Sequence, residues 1–201
     1  MTYSLIFAII SSIFYVAVNA ECLTESETTT GIEIGTQFSN IAELKELGAQ
    51  SYRLHSFTTC QDAAGNVIGT QFILKSRYEE ETIELEAMGD MMTGTCANLI
   101  LTSPIQEIKA SFSWDSGSGS ISYHKDGLKK TYGAPPDDAV TWTFSDTSQL
   151  IGLHGRVFGG TIAELGVITL NTGDCPIEEV AKTNEDNTEE KEEINEDKTK
   201  E

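Results

Sequence analysis

Basic residues are scarce. The chain holds 13 Lys and Arg against 32 Asp and Glu, a net charge of −19. Nucleic acids and anionic membranes both demand a basic footprint, so neither is expected as a partner. No Lys or Arg precedes Lys45. Proline is nearly absent, and two of the four, Pro135 and Pro136, are adjacent, in a loop that cannot join a central ladder. The short patterns of catalysis and cofactor binding are missing too. There is no HExxH, no P-loop, no dinucleotide-binding glycine run and no EF-hand loop. No Cys-x-x-Cys pair suggests zinc, and no Asn-x-Ser/Thr sequon invites N-glycosylation. Beyond residue 20 no run is apolar enough to span a bilayer. The expectation is a protein without cofactor or metal, and not an enzyme.

Residues 1–20, MTYSLIFAIISSIFYVAVNA, do form an apolar run, ending in Val18-Asn19-Ala20. Small residues at the last positions fit a secretory signal peptide cleaved before Glu21, although the positive n-region is reduced to the amino terminus. The expected location is therefore extracellular or the lumen of a secretory granule. Four cysteines follow: Cys22, Cys60, Cys96 and Cys175. An even number in a secreted chain favours two disulfides, with three pairings open. The preferred set is Cys22–Cys175, tying the ends of the domain, and Cys60–Cys96, within its first third.

At 201 residues the chain has room for one domain with extensions. Residues 21–36 read as an extended lead-in, and 37–177 as the domain. Ile41–Leu47 (IAELKEL) fits a short helix ending at Gly48. Alternation and β-branched or aromatic content mark strands at Tyr52–Cys60, Val67–Lys75, Thr82–Met88, Ala97–Leu101, Ile105–Trp114, Ser120–His124, Leu128–Tyr132 and Val140–Phe144. A final hairpin spans Leu150–Asn171, folding about Gly159-Gly160. From 178 to 201 there are eleven acidic and four basic residues and no aromatics. That tail cannot bury enough surface to offset chain entropy and is expected to be disordered, serving solubility before diffuse Ca²⁺ binding.

The strongest internal signal is a repeat. Gly65-Asn66-Val67, Gly119-Ser120-Ile121 and Gly160-Thr161-Ile162 each begin a return strand after an apolar-alternating one. Three copies of strand, glycine turn and strand imply three similar sheets around one core. The remaining chemistry reads as structural. His55, His124 and His154 lack a catalytic partner pattern. Asp137-Asp138 point apart into solvent, with no desolvated partner to shift a pKa. Glu79-Glu80-Glu81 is a solvated run. Met88, Met91 and Met92 fill an irregular gap.

Pro104–Ser113, Ser120–His124 and the run Leu128-Lys129-Lys130-Thr131-Tyr132-Gly133 resemble the middle strands of jacalin-related lectins. Leu150-Ile151-Gly152-Leu153-His154-Gly155-Arg156 followed by Ala163-Glu164-Leu165-Gly166-Val167 resembles that family's last hairpin, and Gly35-Thr36-Gln37-Phe38 its first glycine turn. The resemblance is clearest over 104–171. It implies an all-β fold: a pseudo-threefold β-prism of three four-stranded Greek-key sheets, with first and last strands sharing a sheet. It implies non-enzymatic carbohydrate binding, with glycans as partners. The sugar would lie against Gly159, Gly160, Thr161, Ile162, Ala163 and Glu164 of the last loop, aided by Trp114 and Asp115 of a middle loop and by Gly35. The sequence departs from the pattern where an aspartate should grip sugar hydroxyls. Ala163 stands there; a shift by one residue brings Glu164 instead, at the expense of strand register. The rival expectation is a structural or cargo protein of granules or an extracellular coat, using the prism only for packing. Homo-oligomerisation is compatible with either, because weak sugar sites become useful when linked.

Overall fold

The computed structural model describes residues 22–113, 118–134 and 139–173. The expected signal peptide, the acidic tail, Trp114, Asp115, Asp137, Asp138 and Cys175 lie outside the described residues. Three long hairpins dominate: β4 (Tyr52–Gln61) with β5 (Val67–Ser76), β9 (Glu107–Ser113) with β10 (Ser118–Lys125), and β13 (Ser148–Phe158) with β14 (Thr161–Asn171). They are the three units of the sequence repeat. Each hairpin gains one strand beside its return arm and one beside its outgoing arm. For β4–β5 these are β6 (Thr82–Glu84) and β8 (Thr95–Ile100); for β9–β10, β11 (Leu128–Tyr132) and β12 (Val140–Thr143). For β13–β14 they are β1 (Leu23–Glu25) and β3 (Thr36–Ser39), from the other end of the chain. All three sheets thus share one Greek-key order. Two short strands, β2 (Thr30–Gly31) on β14 and β7 (Met88–Gly89) on β5, bring two sheets to five strands. The architecture is the expected all-β prism, and the segment at 23–31 pairs directly with β14.

Every hairpin sends alternate side chains to one shared core. Phe57, Phe72 and Leu74 come from the β4–β5 sheet, Ile108, Ile121 and Tyr123 from the second, and Ile151, Leu165 and Leu170 from the third. Each such side chain contributes about 1.5–3 kcal/mol when fully buried. The Tyr123 ring stacks on Phe57 with centroids 3.7 Å apart and meets the Tyr132 ring edge-on at 6.2 Å. Its hydroxyl is directed toward Thr59 and Thr70 of the neighbouring sheet, and burial pushes its pKa up to about 12. A neutral tyrosine therefore joins two sheets at the centre.

Helix α1 (Ile41–Leu47) ends, as expected, at Gly48 in the left-handed conformation. Asn40 anchors it: its backbone N–H donates to the Leu153 carbonyl, and its Oδ1 accepts from Leu153 N–H. Leu44 then drops onto Gly152, where any side chain would overlap it. The helix also explains a correction. The strand expected across Thr82–Met88 is broken at 85–87, because Glu43 accepts from Glu86 N–H at 3.0 Å and Asn40 donates to the Glu86 carbonyl at 3.1 Å. Residue 86 is thus bound to the helix. A second correction concerns the methionines: Met88 fills the core, but Met92 is 94% exposed. The acidic run Glu79-Glu80-Glu81 is exposed, as expected, with Glu80 pairing with Lys75 at 2.5 Å from a solvated side chain.

Cys60 and Cys96 are direct cross-strand partners on β4 and β8 and form the expected disulfide. Cys22 is buried and disulfide-bonded. Its carbonyl accepts from Asn171 N–H, four residues before Cys175.

Candidate functional site

The last hairpin turns in two residues. Gly159 and Gly160 have φ of 60° and 85°, the type I′ geometry whose twist matches the flanking strands and which demands positive φ at both central positions. No atom lies within 4 Å of where a Cβ would stand on either. The turn is open to solvent. Thr161 Oγ1 donates to the Phe158 carbonyl at 3.0 Å, leaving its lone pairs free. Beside it, Gly35 sits at φ 89° so close to Val157 and Phe158 that a side chain would overlap the Val157 carbonyl. Thr36 then pairs with Val157. The first glycine turn is thereby laid against the last one, as anticipated. Phe158 completes the cluster, 42% exposed. Sequence reasoning does not single it out; its signal is a large aromatic placed directly before a Gly-Gly turn.

The remaining expected residues turn elsewhere. Ile162 is buried in the core, and its side chain lies against Gly89. Ala163 is the extra residue of a β-bulge, because Arg156 pairs with Glu164 and Val157 with Ile162. It is 2% exposed, and its carbonyl accepts from Ile32 N–H at 2.9 Å. Glu164 is buried beneath the lead-in, where Thr29 Oγ1 donates to it at 2.7 Å and Arg156 Nε lies 3.3 Å away. Neither alignment of the hairpin therefore supplies a free carboxylate among the described residues of the turn. Trp114 and Asp115 lie outside the described residues.

His154 sits under this end of the sheet. Its ring occupies space above its cross-strand partner Gly166, where any Cβ would overlap it. Burial holds its pKa below the usual value, against the opposing charges of Glu25 and Glu164. Its Nε2 lies 3.1 Å from Ser26 Oγ. That serine donates to the Thr28 carbonyl at 2.9 Å and accepts from Val167 N–H at 3.1 Å. Its proton is committed to a backbone carbonyl, so the imidazole donates to it. This is a latch holding the lead-in on β14, not an activated nucleophile, which needs the opposite proton order. Among the described residues no group of three or more His, Cys, Asp or Glu is placed to hold a metal ion. No helix among them is long and apolar enough to cross a membrane.

What the arrangement offers is outward-facing backbone, one hydroxyl and one aromatic face, the elements that recognise a neutral polar ligand. Solved structures share the fold. A mannose-binding lectin from champedak matches with a TM-score of 0.54 at 12% identity, over 73% of this chain and 94% of that one. A mannose-binding jacalin-related lectin from Ananas comosus matches with a TM-score of 0.52 at 12% identity, over 74% and 98%. Artocarpin complexed with Me-alpha-mannose matches with a TM-score of 0.54 at 10% identity, over 74% and 96%. At the level of sequence, no family model and no curated protein matches the chain. The fold is the β-prism of jacalin-related lectins.

Proposed function

We propose that the protein is a secreted, non-enzymatic carbohydrate-binding protein whose site is the end of the prism formed by Gly35 and Phe158–Thr161. The observation that carries this reading is the open Gly159-Gly160 turn, laid against Gly35 and flanked by the half-exposed Phe158. A sugar ring stacks its C–H face on such an aromatic while backbone N–H groups of the open turn meet its hydroxyls. The lectin neighbours support the class of ligand. Secretion is supported by the apolar leader and by the Cys60–Cys96 disulfide, which belongs to an oxidising compartment.

Binding at this site is weak for single sugars. A charge-assisted hydrogen bond contributes about 1.5–3 kcal/mol, while a Kd of about 1 mM corresponds to only about −4 kcal/mol. Without the aspartate, monosaccharide affinity falls beyond the millimolar range, and useful binding requires an extended glycan or linked sites. The test is a glycan array probed with the full secreted chain beside Phe158→Ala and Gly160→Asp. Specific binding lost in both variants is the expected result. Binding untouched by either would move the site away from this end. The second reading, a structural or cargo module, is favoured by the buried Ala163 at the aspartate position. It gains if the folded, disulfide-bonded protein binds no glycan.

A further inference from the structure

At the far end of the same prism lies a cavity of about 390 Å³. Its wall at Gln149 and Leu150 is about 30 Å along β13 from the Gly159-Gly160 turn, at ~3.3 Å per residue. The lining holds Arg53, Lys75 and Arg77 and no Asp or Glu, in a chain whose net charge is −19. Two of the chain's three arginines are here. Arg53 and Lys75 are direct cross-strand partners, a like-charge juxtaposition that destabilises a sheet. Neither arginine forms an ion pair among the described residues. Arg77 is fixed in place, with Nε donating to the Tyr52 carbonyl at 3.0 Å and a terminal nitrogen to Gln149 Oε1 at 2.7 Å. Burial, and then the Arg53 charge, hold its pKa below the usual guanidinium value.

From this geometry we infer that the cavity is a binding site for a small molecule carrying an oxyanion group (carboxylate, sulfate or phosphate), clamped by Arg53, Lys75 and Arg77. Planar guanidinium forks match the oxygens of such groups. The Thr102 hydroxyl accepts from Lys125 Nζ at 2.6 Å, which leaves its own proton free to donate. Ser103 is bonded instead to Asp126. The volume lies within the range of small-molecule pockets and exceeds what a bare ion fills. At the rim, Glu80 pairs with Lys75 from a side chain 93% exposed. It is a loosely held internal carboxylate that an incoming anion displaces. This site is independent of whether the opposite end binds neutral sugar.

The test is titration of the full chain with sodium sulfate, sodium phosphate, glucuronate and a sulfated disaccharide, each at ionic strength matched with NaCl. Binding is followed by thermal shift and by the arginine Nε–H resonances in NMR. Saturable binding is expected. It weakens at least about tenfold in Arg53→Gln, since a lost charged contact is worth about 1.5–3 kcal/mol, and tightens in Glu80→Gln. Lys130→Gln, a charge change on another sheet, leaves it unchanged. Tighter binding of the acidic sugars than of the inorganic ions supports a saccharide source; equal binding supports a free oxyanion. No saturable response to any of the four, or a response equal in Arg53→Gln and Lys130→Gln, overturns the inference.

Discussion

The β4–β5 and β13–β14 hairpins are two copies of one device with different endings. Both shift register twice, at Leu54/Ser56 and Cys60/Gln61 in one and at Leu150/Gly152 and Arg156/Val157 in the other. In both, a left-handed glycine on an added strand packs against the bulge carbonyl: Gly89 against Ile68, Gly31 against Ala163. The position that holds the Cys60–Cys96 disulfide in the first copy holds Arg156 opposite Gln37 in the second. The tips diverge further. In the first, Asp62 accepts from the Asn66 backbone at 2.8 Å and from its side chain at 3.1 Å, so the turn satisfies itself. In the second, Thr161 Oγ1 bonds the Phe158 carbonyl, but the two glycines between them carry no side chain and face open space. Identical frames thus yield one closed tip and one available for a ligand.

Removing the covalent difference should have the largest effect. A Cys60→Ser/Cys96→Ser variant frees a loop of 36 residues and is expected to lose about 2–4 kcal/mol of stability, read as a lower urea midpoint. Arg156→Gln at the matching place should change stability by about 0–1 kcal/mol, as expected of a partly exposed ion pair. The shared feature is tested next. Gly31→Ala and Gly89→Ala each force a side chain into left-handed backbone and into a carbonyl, and each should lose more than about 1 kcal/mol. Unequal losses in thermal melts would show that the two bulges are not energetic equivalents.

His154 has no counterpart in the first copy, where Thr58 faces Gln71. Gly166→Ala should cost about 1–3 kcal/mol by overpacking, and most of that should return in the His154→Ala background. The imidazole also makes stability depend on pH. Its folded pKa lies below the unfolded value of 6.5, so below that pH the unfolded chain takes up the proton more readily. Stability present above pH 6.5 is lost as pH falls toward the folded pKa. A pH series of melting temperatures should show that loss in the wild type and a smaller one in His154→Gln.

The residues that made the fold legible are packing devices. Tyr132 and Gly133 of the KKTYG run meet Tyr123 and the Gly119 carbonyl. His154 and Gly166 share one volume, as do Leu44 and Gly152. Such pairings constrain residue type at fixed spacing, so a single sequence displays them. The short helix was legible for the same reason, through its apolar spacing and terminal glycine. What the sequence concealed depends on contacts between distant segments. Glu164 finds Thr29 across 135 residues, Glu86 is held by Asn40 and Glu43, and Arg53 comes to face Lys75 only once β4 and β5 are in register. Phe158 was visible, but its exposure follows from the tightness of the turn rather than from its own type.

The sheet that carries the open tip is assembled from both extremes of the described chain, with Leu23 paired to Leu170 and Phe38 to Gly155. The other two sheets close among neighbours in sequence. On a ribosome, β1 to β3 emerge first and then wait, edges unpaired, until β13 and β14 follow. The first two sheets can form meanwhile, because short loops close at lower entropic cost. The candidate glycan-binding end is therefore the last part of the molecule to exist, and a chain cut short before residue 148 never makes it.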